Sequence, residues 1–154
     1  MATLFFDSSG VVKRYVSEDG SAWVRALCED GAGHDRVIAQ ITGVEMIAAV
    51  TRRLRRGDML SADAEAAIAD MEADFAEDFL LLDISPARIR EAMTLARLHG
   101  LRGYDAVQLA TALFLRAQCR TLGQPDPVFI TADVELAGAA VAEGLTVYDP
   151  NTHL

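Results

Sequence analysis

Apolar residues recur along this chain with two different spacings. Short unbroken runs at Thr3–Phe6, Arg36–Gln40, Phe79–Ile84, Val128–Thr131 and Leu145–Tyr148 have the length and composition of buried strands. Between them the apolar positions step by three and four, as on one face of a helix. Ser8–Val16 reads as a helix entered through a Ser-Ser-Gly turn, and a second short helix begins at Gly20-Ser21 with Trp23, Leu27 and Cys28 on its apolar side. Gly31-Ala32-Gly33 breaks it. Thr42–Arg56 is expected to bury Val44, Ile47, Ala48 and Leu54 and to end at Gly57. Ser61 is expected to cap a helix to about Asp78 carrying Ala64, Ile68, Met71 and Phe75. Ser85-Pro86 opens another that stops at Gly100, and helices follow at Tyr104–Cys119 and Asp133–Glu143. Five short apolar strands separated by helices predict an α/β fold: a central parallel sheet covered on both faces.

The 154 residues suit one domain, 1–154, with a sizeable core. A hydrophobic fraction of 51% excludes a disordered chain. No run of about 20 apolar residues predicts a membrane span, and Asp7 interrupts the N-terminus too early for a signal sequence. Cys28 and Cys119 lack metal-ligand spacing and read as buried free thiols, which points to the cytoplasm. A net charge of −9 argues against a broad basic surface for nucleic acid. The charge is uneven, however: no Lys or Arg occurs between Gly57 and Ala87, and Arg52-Arg53-Leu54-Arg55-Arg56 lies just before. That basic run could meet an RNA backbone, a partner subunit or solvent.

Four acids stand where strands end or helices begin: Asp7, Glu45, Asp105 and Asp133. In an open α/β sheet such positions converge on one crevice at the topological switch point. Carboxylates gathered there repel one another unless a divalent cation neutralises them. Mg²⁺ and similar hard cations take oxygen ligands and keep several waters, so a few carboxylates suffice. Phosphodiester hydrolysis is the chemistry such a site performs most readily. His34, His99 and His153 lie in a loop, a helix end and the tail, and are expected at the surface.

Each acid also has a purely structural reading. Asp7 and Asp133 can cap the helices that follow them. Thr42-Gly43-Val44-Glu45 matches a capping box, with Glu45 reaching back to a backbone N–H. Asp105 is favourable in a first helical turn. Glu45 stands out because Met46-Ile47-Ala48-Ala49-Val50 beside it is apolar, and a charge in such company is paired, solvated or ligated.

Phe6-Asp7-Ser8-Ser9-Gly10-Val11-Val12-Lys13-Arg14-Tyr15 resembles the opening of PIN-domain proteins of the VapC toxin type. Thr42-Gly43-Val44-Glu45 is similar to their second acidic motif and Leu101–Ala112 to the third. Phe129-Ile130-Thr131-Ala132-Asp133, then Glu143–Pro150, resembles the closing segment. The resemblance implies a three-layer PIN-like fold with a five-stranded parallel sheet. It implies a Mg²⁺- or Mn²⁺-dependent endoribonuclease that cleaves RNA by metal-activated water, acting as the toxin of a type II toxin–antitoxin pair. It also implies a homodimer and a small antitoxin covering the site. Asp7, Glu45, Asp105 and Asp133 would form the acidic metal site, with Ser9 and Thr131 as polar helpers. Glu135 is close in sequence, but a helix surface is its expected place.

Three other readings compete. A haloacid-dehalogenase phosphatase expects a second Asp two residues after the first, where Ser9 stands. A phospho-aspartate receiver needs a late lysine, and Lys13 is the only lysine. A non-catalytic PIN-fold protein that binds RNA or a partner would have no need of four clustered acids. An antitoxin is expected to insert Arg or Lys among the carboxylates and to lie on Val12, Tyr15, Val16, Trp23 and Leu27, the two aromatics foremost.

Overall fold

The computed structural model describes residues 1–153. Strands β1 (Thr3–Phe6), β2 (Asp35–Ala39), β3 (Leu80–Leu82), β4 (Val128–Ile130) and β5 (Thr146–Tyr148) form one sheet in the order β3-β2-β1-β4-β5. Every pairing is parallel, as the alternation of strands and helices requires. The helices are α1 (Ser8–Val11), α2 (Ser21–Leu27), α3 (Thr42–Arg55), α4 (Ser61–Glu77), α5 (Pro86–His99), α6 (Gly103–Thr121) and α7 (Val134–Ala142).

The strands bury both faces, which is why they read as unbroken apolar runs. Leu4, Phe6, Ile38 and Ile130 point into one core shared with α1, α2, α3 and α4. Phe5, Val37, Ala39 and Phe129 point into the other, against α5, α6 and α7. Phe5, Phe6 and Ile38 are fully buried, each contributing about 1.5–3 kcal/mol over an exposed position. The edge strand β3 is less covered, with Leu80 at 58% exposure.

Several local expectations change. The first helix stops at Val11 and tightens into a 3₁₀ turn over Val12–Arg14, closed by Tyr15 N–H donating to the Val12 carbonyl. Helix α3 buries Thr42, Met46 and Val50, not the expected stripe: Val44 is 65% exposed and Ile47 is exposed too. The reason is that the side of α3 bearing Val44 faces an open cleft. Leu60, not Ser61, is the N-cap of α4, without a side-chain bond. His34 and His99 are half-buried; only His153 is exposed, and its ring stacks on Trp23 at 4.2 Å. The two cysteines are buried free thiols, and burial pushes Cys28 up to about 11.

The acidic stretch from Gly57 is partly bonded to the rest of the fold. Asp78 receives Arg14 at 2.6 Å and also Arg36, while Asp74 accepts the Tyr15 hydroxyl at 2.7 Å. These bonds tie the C-terminal end of α4 to β2 and to the 3₁₀ turn.

The candidate acidic site and its cleft

After β1 the chain builds β2 and β3 on one side, then returns to build β4 and β5 on the other. The switch point is therefore the gap between β1 and β4, where Phe6 pairs with Ile130. One residue further, Asp7 and Thr131 leave the sheet side by side. Asp7 N–H donates to the Ile130 carbonyl at 3.1 Å, and the Thr131 hydroxyl donates to Asp7 Oδ2 at 2.7 Å.

Asp7 is 2% exposed and heavily bonded. Its Oδ1 accepts from Gly10 N–H at 2.8 Å, which makes it the cap of α1 as well. The Ser9 hydroxyl stands 2.8 Å from Oδ1 and 2.9 Å from Oδ2, and accepts in turn from Ala132 N–H at 2.9 Å. Gly10 is required for this closeness, since a Cβ there would lie 2.7 Å from the Ile130 carbonyl oxygen. Burial pushes the Asp7 carboxyl up to about 7, against the pull of bonds from Thr131, Ser9 and Gly10. The negative charge of Asp105 adds to the rise.

Asp105 lies in the first turn of α6 and is raised to about 6, first by burial and then by the charges of Asp133 and Glu45. Arg102 opposes that rise, and Glu135, exposed on α7 as expected, adds slightly to it. Asp7, Glu45 and Asp133 thus each stand within electrostatic reach of Asp105. Asp133 caps α7 through Leu136 N–H at 2.9 Å, while its own N–H donates to Thr131 Oγ1 at 3.1 Å.

Glu45 does not form the capping box. Ile41 is the N-cap of α3 and makes no side-chain bond there. Instead Glu45 Oε2 accepts from Ser8 Oγ at 2.8 Å and Oε1 from Gln108 Nε2 at 2.9 Å. Ser8 and Gln108 were not singled out by sequence reasoning. For Gln108 the available signal was an amide at the Asp105 + 3 position of a largely apolar helix, on the same face as the acid.

The donors gathered here are oxygens, with neither His nor Cys among them, which fits a hard cation such as Mg²⁺ or Mn²⁺. Among the described residues no three His, Cys, Asp or Glu side chains close around one point to enclose an ion. Water would have to complete the coordination, as Mg²⁺ ordinarily retains it.

Beside the acids opens a cleft of about 530 Å³ whose lining includes Ser9, Glu45, Arg52, Arg53, Arg102 and Tyr104. The basic run divides at this point. Arg53 is held by Glu18 at 2.8 Å and Arg56 by Asp58 at 3.1 Å, and Arg55 is not part of the lining. Arg52 is exposed to the cleft without an ion pair among the described residues. A second groove of about 670 Å³ is lined by Tyr15, Val16, Met59, Leu60 and Ala67, among others. Val12 is buried, Leu27 half-buried, and Trp23 is covered by His153.

The sequence profile described as PIN domain matches residues 4–141. Ribonuclease VapC45 of Mycobacterium tuberculosis is 33% identical over 152 residues, covering 96% of this chain and 95% of the relative. This chain belongs to the PIN-domain family, VapC type. Membership removes the haloacid-dehalogenase and receiver readings. The fold is shared with PAE2754 of Pyrobaculum aerophilum, at a TM-score of 0.64 and 21% identity over 99% of this chain and 92% of that one. It is shared also with a toxin–antitoxin complex from Klebsiella pneumoniae, at a TM-score of 0.60 and 14% identity over 96% and 97%. In this PIN domain no helix among the described residues is long and apolar enough to cross a membrane.

Proposed function

We propose that this protein is a Mg²⁺- or Mn²⁺-dependent endoribonuclease and the toxin of a toxin–antitoxin pair. The observation that carries the reading is that Asp7, Glu45 and Asp133 all lie within electrostatic reach of Asp105, beside the switch point of a PIN fold. Burial and mutual repulsion hold two of these carboxyls, Asp7 and Asp105, well above the usual range. A cation held by these carboxylates would offset that repulsion, and would supply an activated water and positive charge beside a phosphate. Ser9 and Thr131 fix the Asp7 carboxyl, Ser8 and Gln108 fix Glu45, and Asp133 sits at the start of α7. Arg52 and Arg102 on the cleft wall face an incoming phosphate backbone despite the net negative charge.

Support for the activity comes from the relative that bears the name ribonuclease, and support for a partner from the fold shared with a toxin–antitoxin complex. An antitoxin that places Arg or Lys in the acidic site would compete directly with the cation. The groove beside Tyr15 and Val16 offers it apolar surface, whereas Trp23 is already covered by His153. Homodimerisation and a cytoplasmic location belong to the same reading.

The experiment is cleavage of single-stranded RNA by purified protein with Mn²⁺ or Mg²⁺. Cleavage that stops on chelation supports the enzyme; RNA binding without cleavage at any divalent cation favours a non-catalytic PIN-fold protein instead. Co-expression with any small protein found to be encoded immediately upstream tests the toxin reading. A complex that cuts RNA as fast as the free protein refutes that part alone.

A further inference from the structure

We infer that Gln108 is a positioning residue that sets the cation affinity of Glu45, with Thr42 as its anchor; this rests on the metal-dependent reading above. Gln108 lies on α6 one turn beyond Asp105 and is 0% exposed. Both hydrogens of its amide nitrogen are used. One goes to Thr42 Oγ1 at 2.9 Å and the other to Glu45 Oε1 at 2.9 Å. Thr42 is itself fully buried at the start of α3, so the amide is held from the same helix that carries Glu45.

The amide orientation is forced by charge. Turned over, its oxygen would face the Glu45 carboxylate and two acceptors would meet without a proton between them. In the observed orientation the amide oxygen is buried and has no hydrogen-bond partner. Such an orphaned acceptor is destabilising, and an apolar side chain of the same size would not carry it. A local loss of this kind is expected where a side chain serves a site rather than the core.

The service is orientation. Ser8 holds Glu45 Oε2 and Gln108 holds Oε1, so the carboxylate is clamped from two elements, α1 and α6. Clamping fixes which lone pairs face the other acids. Residues that hydrogen-bond to metal-ligating groups commonly alter metal affinity by about 10–100-fold.

The test compares Gln108→Met, which keeps the volume and removes both donors, with Thr42→Val and Thr42→Ser. Mn²⁺ binding is measured by titration calorimetry, and thermal stability in metal-free buffer. Gln108→Met is expected to weaken Mn²⁺ binding by about tenfold or more; it removes the orphaned amide oxygen but leaves the Thr42 hydroxyl unpaired, and these opposed effects should leave the metal-free melt close to wild type. Thr42→Val should weaken binding by less, and Thr42→Ser, which retains the acceptor oxygen, should restore it. Mn²⁺ affinity of Gln108→Met within twofold of wild type overturns the assignment. So does a metal-free melt far below wild type, since Gln108 would then be structural. If the wild type itself binds no Mn²⁺ at millimolar concentration, the metal reading of the function falls first and this one with it.

Discussion

Replacing Asp7 with Asn separates the charge of this residue from its shape. Asn can keep the bond from Gly10 N–H through its amide oxygen, so α1 retains a cap. What it removes is the cost of ionising a carboxyl that is 2% exposed. In the folded protein Asp7 keeps its proton up to about 7, while in the unfolded chain it releases it near 3.8. Across that window the native state holds more protons than the unfolded state, so metal-free stability falls as pH rises from about 4 to about 7. The full difference corresponds to roughly 4 kcal/mol for Asp7 alone. In a chain of this length each kcal/mol moves the melting temperature by about 2–4 °C, so the two proteins should separate by roughly 10 °C. Near pH 4 wild type and Asp7→Asn should melt alike; near pH 7.5 the variant should melt higher. Mn²⁺ at a hundred times the Kd should close most of that gap, because wild type gains about 2.7 kcal/mol and the variant gains little. Cleavage by the variant should be abolished throughout. Melting curves that stay parallel from pH 4 to 7.5 without metal would refute the account of Asp7. A variant that cuts RNA at the wild-type rate would reduce Asp7 to a helix cap.

Two further outcomes follow from the geometry. Gly10→Ala should destabilise by about 1–3 kcal/mol in urea titration, because its Cβ would press on the Ile130 carbonyl oxygen at 2.7 Å and force α1 away from β4. Arg52→Ala should weaken RNA binding and lower its salt dependence by about one counterion with little change in melting temperature, a pattern that filter binding across a salt series would detect and that equal slopes would contradict.

The apolar runs determined the strands, since a strand covered on both faces needs hydrophobic residues at consecutive positions, and Leu4, Phe5 and Phe6 supply them to two different cores. Glycine and proline placed most helix ends for equally local reasons: Gly100 takes the left-handed conformation, φ 66°, that closes α5. The four acids and their order were legible too, because each lies next to an element boundary. Tertiary structure decided the faces and the partners. Val44 and Ile47 fit a buried stripe by spacing, yet packing of α3 against the sheet and α4 chose Thr42, Met46 and Val50. Periodicity fixes the angle between side chains but not which way the helix is rolled. Glu45 had a local partner available in its own first turn and took Ser8 and Gln108 instead, residues 37 and 63 positions away. Bonds across such separations are fixed only when the sheet order brings α1, α3 and α6 to one crevice, and that order is a property of the folded chain.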